Sequence, residues 1–381
     1  MTVTESAPPV PEAGDVEVLW ERLARVEQRV RHAVAARRAT DPEPDDPYRG
    51  QYLTPEAVER VLESRDAFAP VPPYGREETA YGADQLSRTT GRSADSSTPA
   101  PHPGSRLDRL ARSFGLLPLD VELLLVAVAP DIDPRFERLY GYLNDDLTRR
   151  RPAIGLALEL CGLPAAGSGR FRFQPSAPLV AGGLLEITDL ERPLLSRALR
   201  VPDRVTAHLL GDDEPDGRLR GLVQVPAPAD SVGDRPEARR IAAALATGSG
   251  LVHLLDRGGD PAGLAVEALG AVGRRPLVVD IAALAAAGER TDELAGALAT
   301  EARLAHGGVV LGPLEALDPE RPEGARLLAF LCTAVSGTPL IAYGKRNWDP
   351  LWTRDSPVPV AVPPPGPTGA ARRWRQALAD A

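Results

Sequence analysis

Leu251-Val252-His253-Leu254-Leu255-Asp256-Arg257-Gly258-Gly259-Asp260-Pro261-Ala262-Gly263-Leu264-Ala265 is the stretch that decides the fold of the C-terminal half. It passes from an apolar, β-prone segment through a glycine-rich turn into a helical pattern, and a second apolar strand, Pro276-Leu277-Val278-Val279-Asp280, follows. Strand, Gly-rich turn, helix, strand is the order of a phosphate-binding loop, and Gly258 and Gly263 keep its G-x-x-x-x-G spacing. The next two positions should be Lys, reaching the β- and γ-phosphates, and Ser or Thr, holding Mg²⁺. They are Leu264 and Ala265, and the single lysine of the chain, Lys345, lies far away in sequence.

The size of that loss can be bounded. A lysine about 4 Å from a phosphate charge contributes ~4 kcal/mol at an effective dielectric of ~20, which is roughly a thousandfold in affinity. Asp256 and Asp260 flank the turn and would repel phosphate; Arg257 is the one possible phosphate contact if nucleotide binds. A Walker-B strand needs apolar residues followed by an acid for Mg²⁺. The candidate is Val309-Val310-Leu311 followed by Gly312-Pro313-Leu314-Glu315, so Gly312 stands where the metal-binding aspartate belongs. Gly258, Gly263, Leu264, Ala265 and Gly312 are therefore read as positions of a degenerate nucleotide site, with no catalytic residue, no metal site and no cofactor expected. The alternative is an α/β layer whose Gly-rich turn never bound anything.

Composition narrows the function classes. Net charge is −9 over 381 residues, which argues against a nonspecific nucleic-acid binder. Cys161 and Cys332 sit far apart in apolar helical surroundings, as small buried residues of a reducing compartment. The five histidines are scattered without zinc-ligand spacing. The first fifteen residues are Pro-rich and acidic, unlike a secretory signal. No apolar run approaches ~18 residues without charge, so no membrane span is expected and the chain is read as cytoplasmic.

The organisation expected is multidomain, α and α/β. Residues 1–15 read as disordered and 16–66 as N-terminal helices, the first carrying Leu19, Leu23, Val26, Val30 and Val34 on one face, the second opening at Thr54-Pro55. Residues 67–104 read as a flexible linker, rich in Pro, Ser, Thr and charge. In 105–213, helices around Leu107–Phe114, Leu119–Val128, Phe136–Leu143 and Ile154–Cys161 precede two strand-like runs, Leu184–Ile187 and Leu199–Val201, which is a winged-helix pattern. Residues 214–234 read as a second linker and 235–381 as a degenerate P-loop NTPase-like parallel α/β domain, with Val358–Val362 as an edge strand.

Arg149-Arg150-Arg151 beside a winged-helix pattern is a candidate partner or DNA face. Local acidic residues, Asp145 and Asp146 among them, favour salt bridging and a protein-contact face over nucleic acid. Asp131, Asp133 and Asp145 suggest capping and turn chemistry ahead of a metal cluster. Trp348 and Trp352, beyond Lys345-Arg346-Asn347, are expected to pack on the sheet.

Specific stretches carry a family resemblance. Arg106-Leu-Asp-Arg-Leu-Ala-Arg-Ser-Phe-Gly-Leu, Leu123-Leu-Leu-Val-Ala-Val-Ala-Pro-Asp-Ile-Asp, Phe136-Glu-Arg-Leu-Tyr-Gly-Tyr-Leu-Asn-Asp-Asp and Thr148-Arg-Arg-Arg-Pro occur in that order, and Pro178-Leu-Val-Ala-Gly-Gly-Leu-Leu-Glu-Ile follows as a wing. Together they resemble the N-terminal winged-helix region of bacterial AAA+ ATPases found with extracellular contractile injection systems. The resemblance implies a degenerate NTPase-like layer at 235–381 and a true AAA+ module, with ATP and Mg²⁺, beyond Ala381. It also implies protein partners from the injection particle and possible oligomers, with a regulatory or adaptor role for this chain. An ATP-binding protein that holds nucleotide without efficient hydrolysis, and a winged-helix DNA-binding regulator, are the alternatives.

Overall fold

The computed structural model describes residues 13–40, 104–226 and 235–364. The second N-terminal helix expected from Thr54, most of the 67–104 linker, and residues 227–234 and 365–381 lie outside the described residues. The chain divides into two units, 1–213 and 214–381.

The first unit is built around a helix that is apolar on almost every side. Helix α1 (Ala13–Thr40) is followed by α2 (Arg106–Ser113), α3 (Pro118–Ile132), α4 (Arg135–Leu143) and α5 (Ile154–Leu160). In α3 every residue from Leu123 to Pro130 is buried, so it takes neighbours on all faces. Two acids, Asp120 and Glu122, precede this run in the helix, and both are paired. Asp120, fully buried, accepts from Leu117 N (2.8 Å) at the helix start and is forked by Arg172, whose Nε lies 2.6 Å away. Glu122 receives Arg22 and Arg29 of α1, one guanidinium on each carboxylate oxygen.

Helix α1 docks on this core through Leu19, Leu23, Val26, Val30 and Ala33, spaced four and three apart. Ala33 thus takes the place expected of Val34, which is only half-buried. Residues 13–15, read as disordered, are helical. The reason is Asp15, whose carboxylate accepts from Arg106 N (2.9 Å) and pairs with Arg109 Nη2 (3.0 Å) while sitting in the positive first turn of α1. At the other end Arg37 donates to Leu143 O (2.9 Å) and Glu159 (3.1 Å).

After the short helix α6 (Pro178–Ala181), strands β1 (Glu186–Ile187) and β2 (Leu199–Arg200) pair antiparallel, Glu186 opposite Arg200 and Ile187 opposite Leu199. An isolated bridge from Ala153 to Ala198 ties this hairpin to the start of α5. Helix α7 (Asp203–Leu209) follows, and Gly211 turns the chain at φ 105°. Helices plus a two-stranded wing agree with the expected pattern. A 3-10 segment at Ser168–Phe173 carries Arg172 to Asp120.

The second unit is a six-stranded sheet in the order β3-β5-β6-β7-β4-β8, comprising β3 (Val223–Gln224), β4 (Leu251–Asp256), β5 (Arg275–Asp280), β6 (Gly307–Gly312), β7 (Leu340–Gly344) and β8 (Val358–Val362). Five strands are parallel; β3 runs antiparallel to β5 at one edge, and β8 forms the other. Strand β3 corrects the reading of 214–234 as linker: Leu219 and Leu222 are buried in the core and anchor the segment to the sheet. Helices α8 (Pro236–Ala246) and α9 (Pro261–Ala271) cover one face with Val252, Leu254, Val310 and Ile341. Helices α10 (Ile281–Ala285), α11 (Thr291–Leu304) and α12 (Pro322–Ala334) cover the other with Leu277, Val279, Val309 and Leu311. Alternate residues of one strand feed opposite layers, so strands buried on both faces read as continuous apolar runs.

Two measurements check this account of the first unit. Glu122→Ala leaves Arg22 and Arg29 facing each other with no shared anion, and is expected to lower unfolding free energy in urea by about 3 kcal/mol. His208 is buried, and that burial, reinforced by Arg204 and Arg106, lowers its pKa to about 4. The folded state therefore keeps it neutral while the unfolded chain protonates near pH ~6.5, so stability falls as pH drops from about 6.5 to about 4. The contribution is at most about 3 kcal/mol, and His208→Gln should flatten that part of the pH–stability curve.

Candidate functional site

In an open α/β sheet, ligands bind outside the carboxyl ends of the strands where neighbouring connections leave on opposite faces. Here that place lies between β4 and β7. The chain leaving β4 enters α9 on one face, while the chain leaving β7 packs Trp348 and Trp352 into the core of the other. The Gly-rich turn of β4 and the end of β6 both open there, so the sequence-derived positions are brought to one end of the sheet.

What fills that end differs from a phosphate loop. Asp260 is the N-cap of α9, its Oδ1 accepting from Gly263 N at 3.0 Å, and Pro261 takes the first helical turn. Gly263, Leu264 and Ala265 are therefore already helical, and the six-residue loop implied by the glycine spacing is a tight turn at 256–260. Gly258 thus stands in the turn and Gly263 inside the helix, because Asp-Pro starts the helix early. Leu264 and Ala265 are buried in the layer with Val252, Leu254, Ala268 and Leu269.

The amides of the turn are also occupied. Asp256 Oδ1 accepts from Gly258 N (2.8 Å) and Gly259 N (3.1 Å), so a carboxylate of the chain sits on the donors that would face a phosphate oxygen. Arg257 donates its backbone N–H to Val362 O (3.0 Å), and its side chain is exposed. The strap that follows β8 lies on the turn: a Cβ on Gly259 would come within 2.5 Å of Pro363 O and 2.7 Å of Val362 Cγ1. Glycine is required there by close backbone approach.

At the second half-site, a Cβ on Gly312 would lie 2.6 Å from the ring of Tyr343 on β7. The tyrosine occupies the space an aspartate side chain would need. Burial raises the Tyr343 pKa, and Asp260, Asp256 and Glu315 reinforce the shift, so three carboxylates surround a phenol where a nucleotide's phosphates would require cations. Arg235 supplies a balancing charge on one side, with Nε bonded to Glu267 and Nη1 3.8 Å from Asp260. Tyr343 escaped the sequence reading; its signal was an aromatic one register step past Ala342, opposite a glycine on β6.

Beneath this end, the His253 ring meets Trp348 at a tilt (centroids 5.5 Å apart) and Trp348 meets Trp352 edge-on (5.4 Å), and both tryptophans pack on the sheet core as expected. In the first unit the three arginines are all engaged. Arg151 forks Asp131 at 2.8 and 2.6 Å, Arg149 lies 3.3 Å from Asp146 and Arg150 3.4 Å from Glu137. Asn144 holds their backbone through Arg149 O (3.1 Å) and Arg151 O (2.9 Å). Asp131 therefore serves as an ion-pair partner, not a cap, while Asp133 accepts from Arg135 N at 2.9 Å as a turn residue and Asp145 turns the chain at φ 56°. Among the described residues no group of His, Cys, Asp and Glu has metal-site geometry.

Placing an acid at Gly312 should cost stability. Gly312→Asp is expected to lower unfolding free energy by about 1–3 kcal/mol through overpacking against Tyr343. Tyr343→Ala in the same chain should recover part of that loss, read as a coupling energy in a double-mutant cycle.

A family model described as winged helix domain, variant, matches residues 11–223. No curated protein and no solved structure matches the chain. The matched region covers more than half of the sequence and contains the helices α1 to α7 and the β1–β2 wing. The chain belongs to the winged helix domain, variant, family.

Proposed function

We propose that this chain is a non-catalytic regulatory or adaptor region of an AAA+ ATPase-type protein, acting in the cytoplasm on protein partners from a contractile injection system. The observation that carries the non-catalytic part is the occupation of the turn by the chain's own carboxylates, Asp256 on Gly258 and Gly259 and Asp260 on Gly263. Nucleotide would have to displace both anions, lift the strap at Val362–Pro363 and bind without a lysine or a magnesium ligand. The engagement of Arg149, Arg150 and Arg151 with carboxylates supports a protein-contact role over phosphate contacts. The connection to an AAA+ machine and an injection particle rests on the resemblance of the 106–152 stretches and the Pro178–Ile187 wing.

Isothermal titration of Mg²⁺-ATP and ADP into the chain should give no binding heat up to millimolar nucleotide. Micromolar binding would overturn the reading in favour of a nucleotide-holding protein, with Arg257 the first contact to substitute. Retention of sheath, tube or baseplate proteins on the immobilised chain should be indifferent to ATP and to DNA. DNA affinity falling by several powers of the salt concentration would instead identify a DNA-binding regulator.

A further inference from the structure

A small cavity of about 80 Å³ opens beside the carboxyl ends of β6 and β7, lined by Glu315, Asp318, Gly344, Arg346 and Trp352 among others. Its charges are unequal in their freedom. Arg346 is bonded to Glu320, and Asp318 to Arg321 at 2.8 Å. Glu315 forms no ion pair among the described residues; Oε1 accepts the backbone N–H of Lys345 at 2.6 Å, and the side chain is exposed. The cavity thus offers one carboxylate without a cationic side-chain partner beside the ring of a tryptophan that is itself buried to 8% exposure.

The neighbouring loop adds a second feature. Leu351, next to Trp352 in sequence, is 90% exposed, far more than any other large hydrophobic among the described residues. It does not hang loose: its N–H donates to Asp349 Oδ1 at 2.9 Å, Trp352 N donates to Asp349 O at 3.0 Å, and Thr353 Oγ1 donates to Asp355 O at 2.9 Å. An ordered loop therefore holds an aliphatic side chain in water beside an anionic, aromatic-walled cavity.

We infer that this end of the sheet is a peptide-docking surface, in which the cavity takes the guanidinium or ammonium of a partner's Arg or Lys and Leu351 packs on an apolar residue beside it. The inference deepens the protein-partner role proposed above and rests on it. Carboxylate plus aromatic face is the chemistry that recognises an organic cation. A protein segment fits better than a free metabolite, because Leu351 lies outside the cavity and an extended chain can reach both. Charge decides the sign of the occupant, since the carboxylate left without a counter-cation is Glu315.

The test uses the full chain and three short capped peptides, Ala-Leu-Arg-Leu-Ala and its Lys and Gln counterparts at the central position. The indole N–H resonance of Trp352, assigned by its loss in Trp352→Phe, reports binding by NMR. Saturable shifts are expected with the Arg and Lys peptides and none with the Gln peptide. Glu315→Gln keeps an acceptor for Lys345 N–H but removes the charge, and should weaken the Arg peptide at least fivefold; Leu351→Ser should weaken it about threefold. An equal response to the Gln peptide, unchanged binding by Glu315→Gln, or no shift at several millimolar Arg peptide would overturn the inference. Those results would leave partner retention on the whole chain untouched, whereas tight ATP or DNA binding would remove the adaptor reading itself.

Discussion

A helix buried on all sides must find a counter-ion for every charge it carries, and the first unit is arranged around that demand. Helix α3 contributes the centre of the core, and the two acids near its start, Asp120 and Glu122, decide which other segments pack on it. Glu122 draws Arg22 and Arg29, and burial disfavours its charge, yet the two guanidiniums hold its pKa below the ordinary carboxylate value. Asp120 draws Arg172 and with it the 3-10 segment before the wing. Hydrophobic contact alone would let α1 slide along its own heptad stripe, because Leu, Val and Ala at spacings of four and three are nearly interchangeable. The pairs at Asp15, Arg22, Arg29 and Arg37 give the docking a register.

The second unit shows how a glycine-rich turn after a strand has its amides satisfied from within the chain. Backbone amides at a helix start need acceptors whether or not a ligand is present. Asp256 and Asp260 supply them within the chain, and the strap after β8 covers what remains. The same substitution of internal for external partner occurs at Gly312, where an aromatic ring fills the space of an acid. Neither half of the site is an empty vessel; each has been closed by side chains that stabilise the closed form.

Much of this was legible in the sequence, for reasons that are local. The strands β4 to β8 are apolar runs bounded by Gly, Pro or Asp, and the helices of the first unit repeat their apolar residues at three and four. That Leu264, Ala265 and Gly312 stand where a phosphate-binding motif would carry Lys, Ser or Thr and Asp is readable from the residues alone. Other features depended on partners distant in sequence. Strand β3 is two residues long and exists because β5 offers an edge; nothing in Val223-Gln224 announces it. The fate of Asp256 and the intrusion of Tyr343 depend on which strands lie side by side. The start of α9 was legible and misjudged: Asp260-Pro261 is a helix-opening pair by ordinary capping chemistry, but the glycine spacing suggested a longer loop. Local hydrogen bonding prevailed over motif resemblance.

The placement of the sole lysine has a practical consequence. Lys345 directly follows β7, with its backbone N–H held by Glu315 and its side chain exposed. Apart from the α-amino group, the chain therefore carries one primary amine, and that amine stands at the rim of the sheet where the strands converge on the turn and the tryptophans. An amine-reactive fluorophore or cross-linker would mark this lysine and the α-amino group and no other side chain of the sequence, giving the sheet an address for chemical labelling.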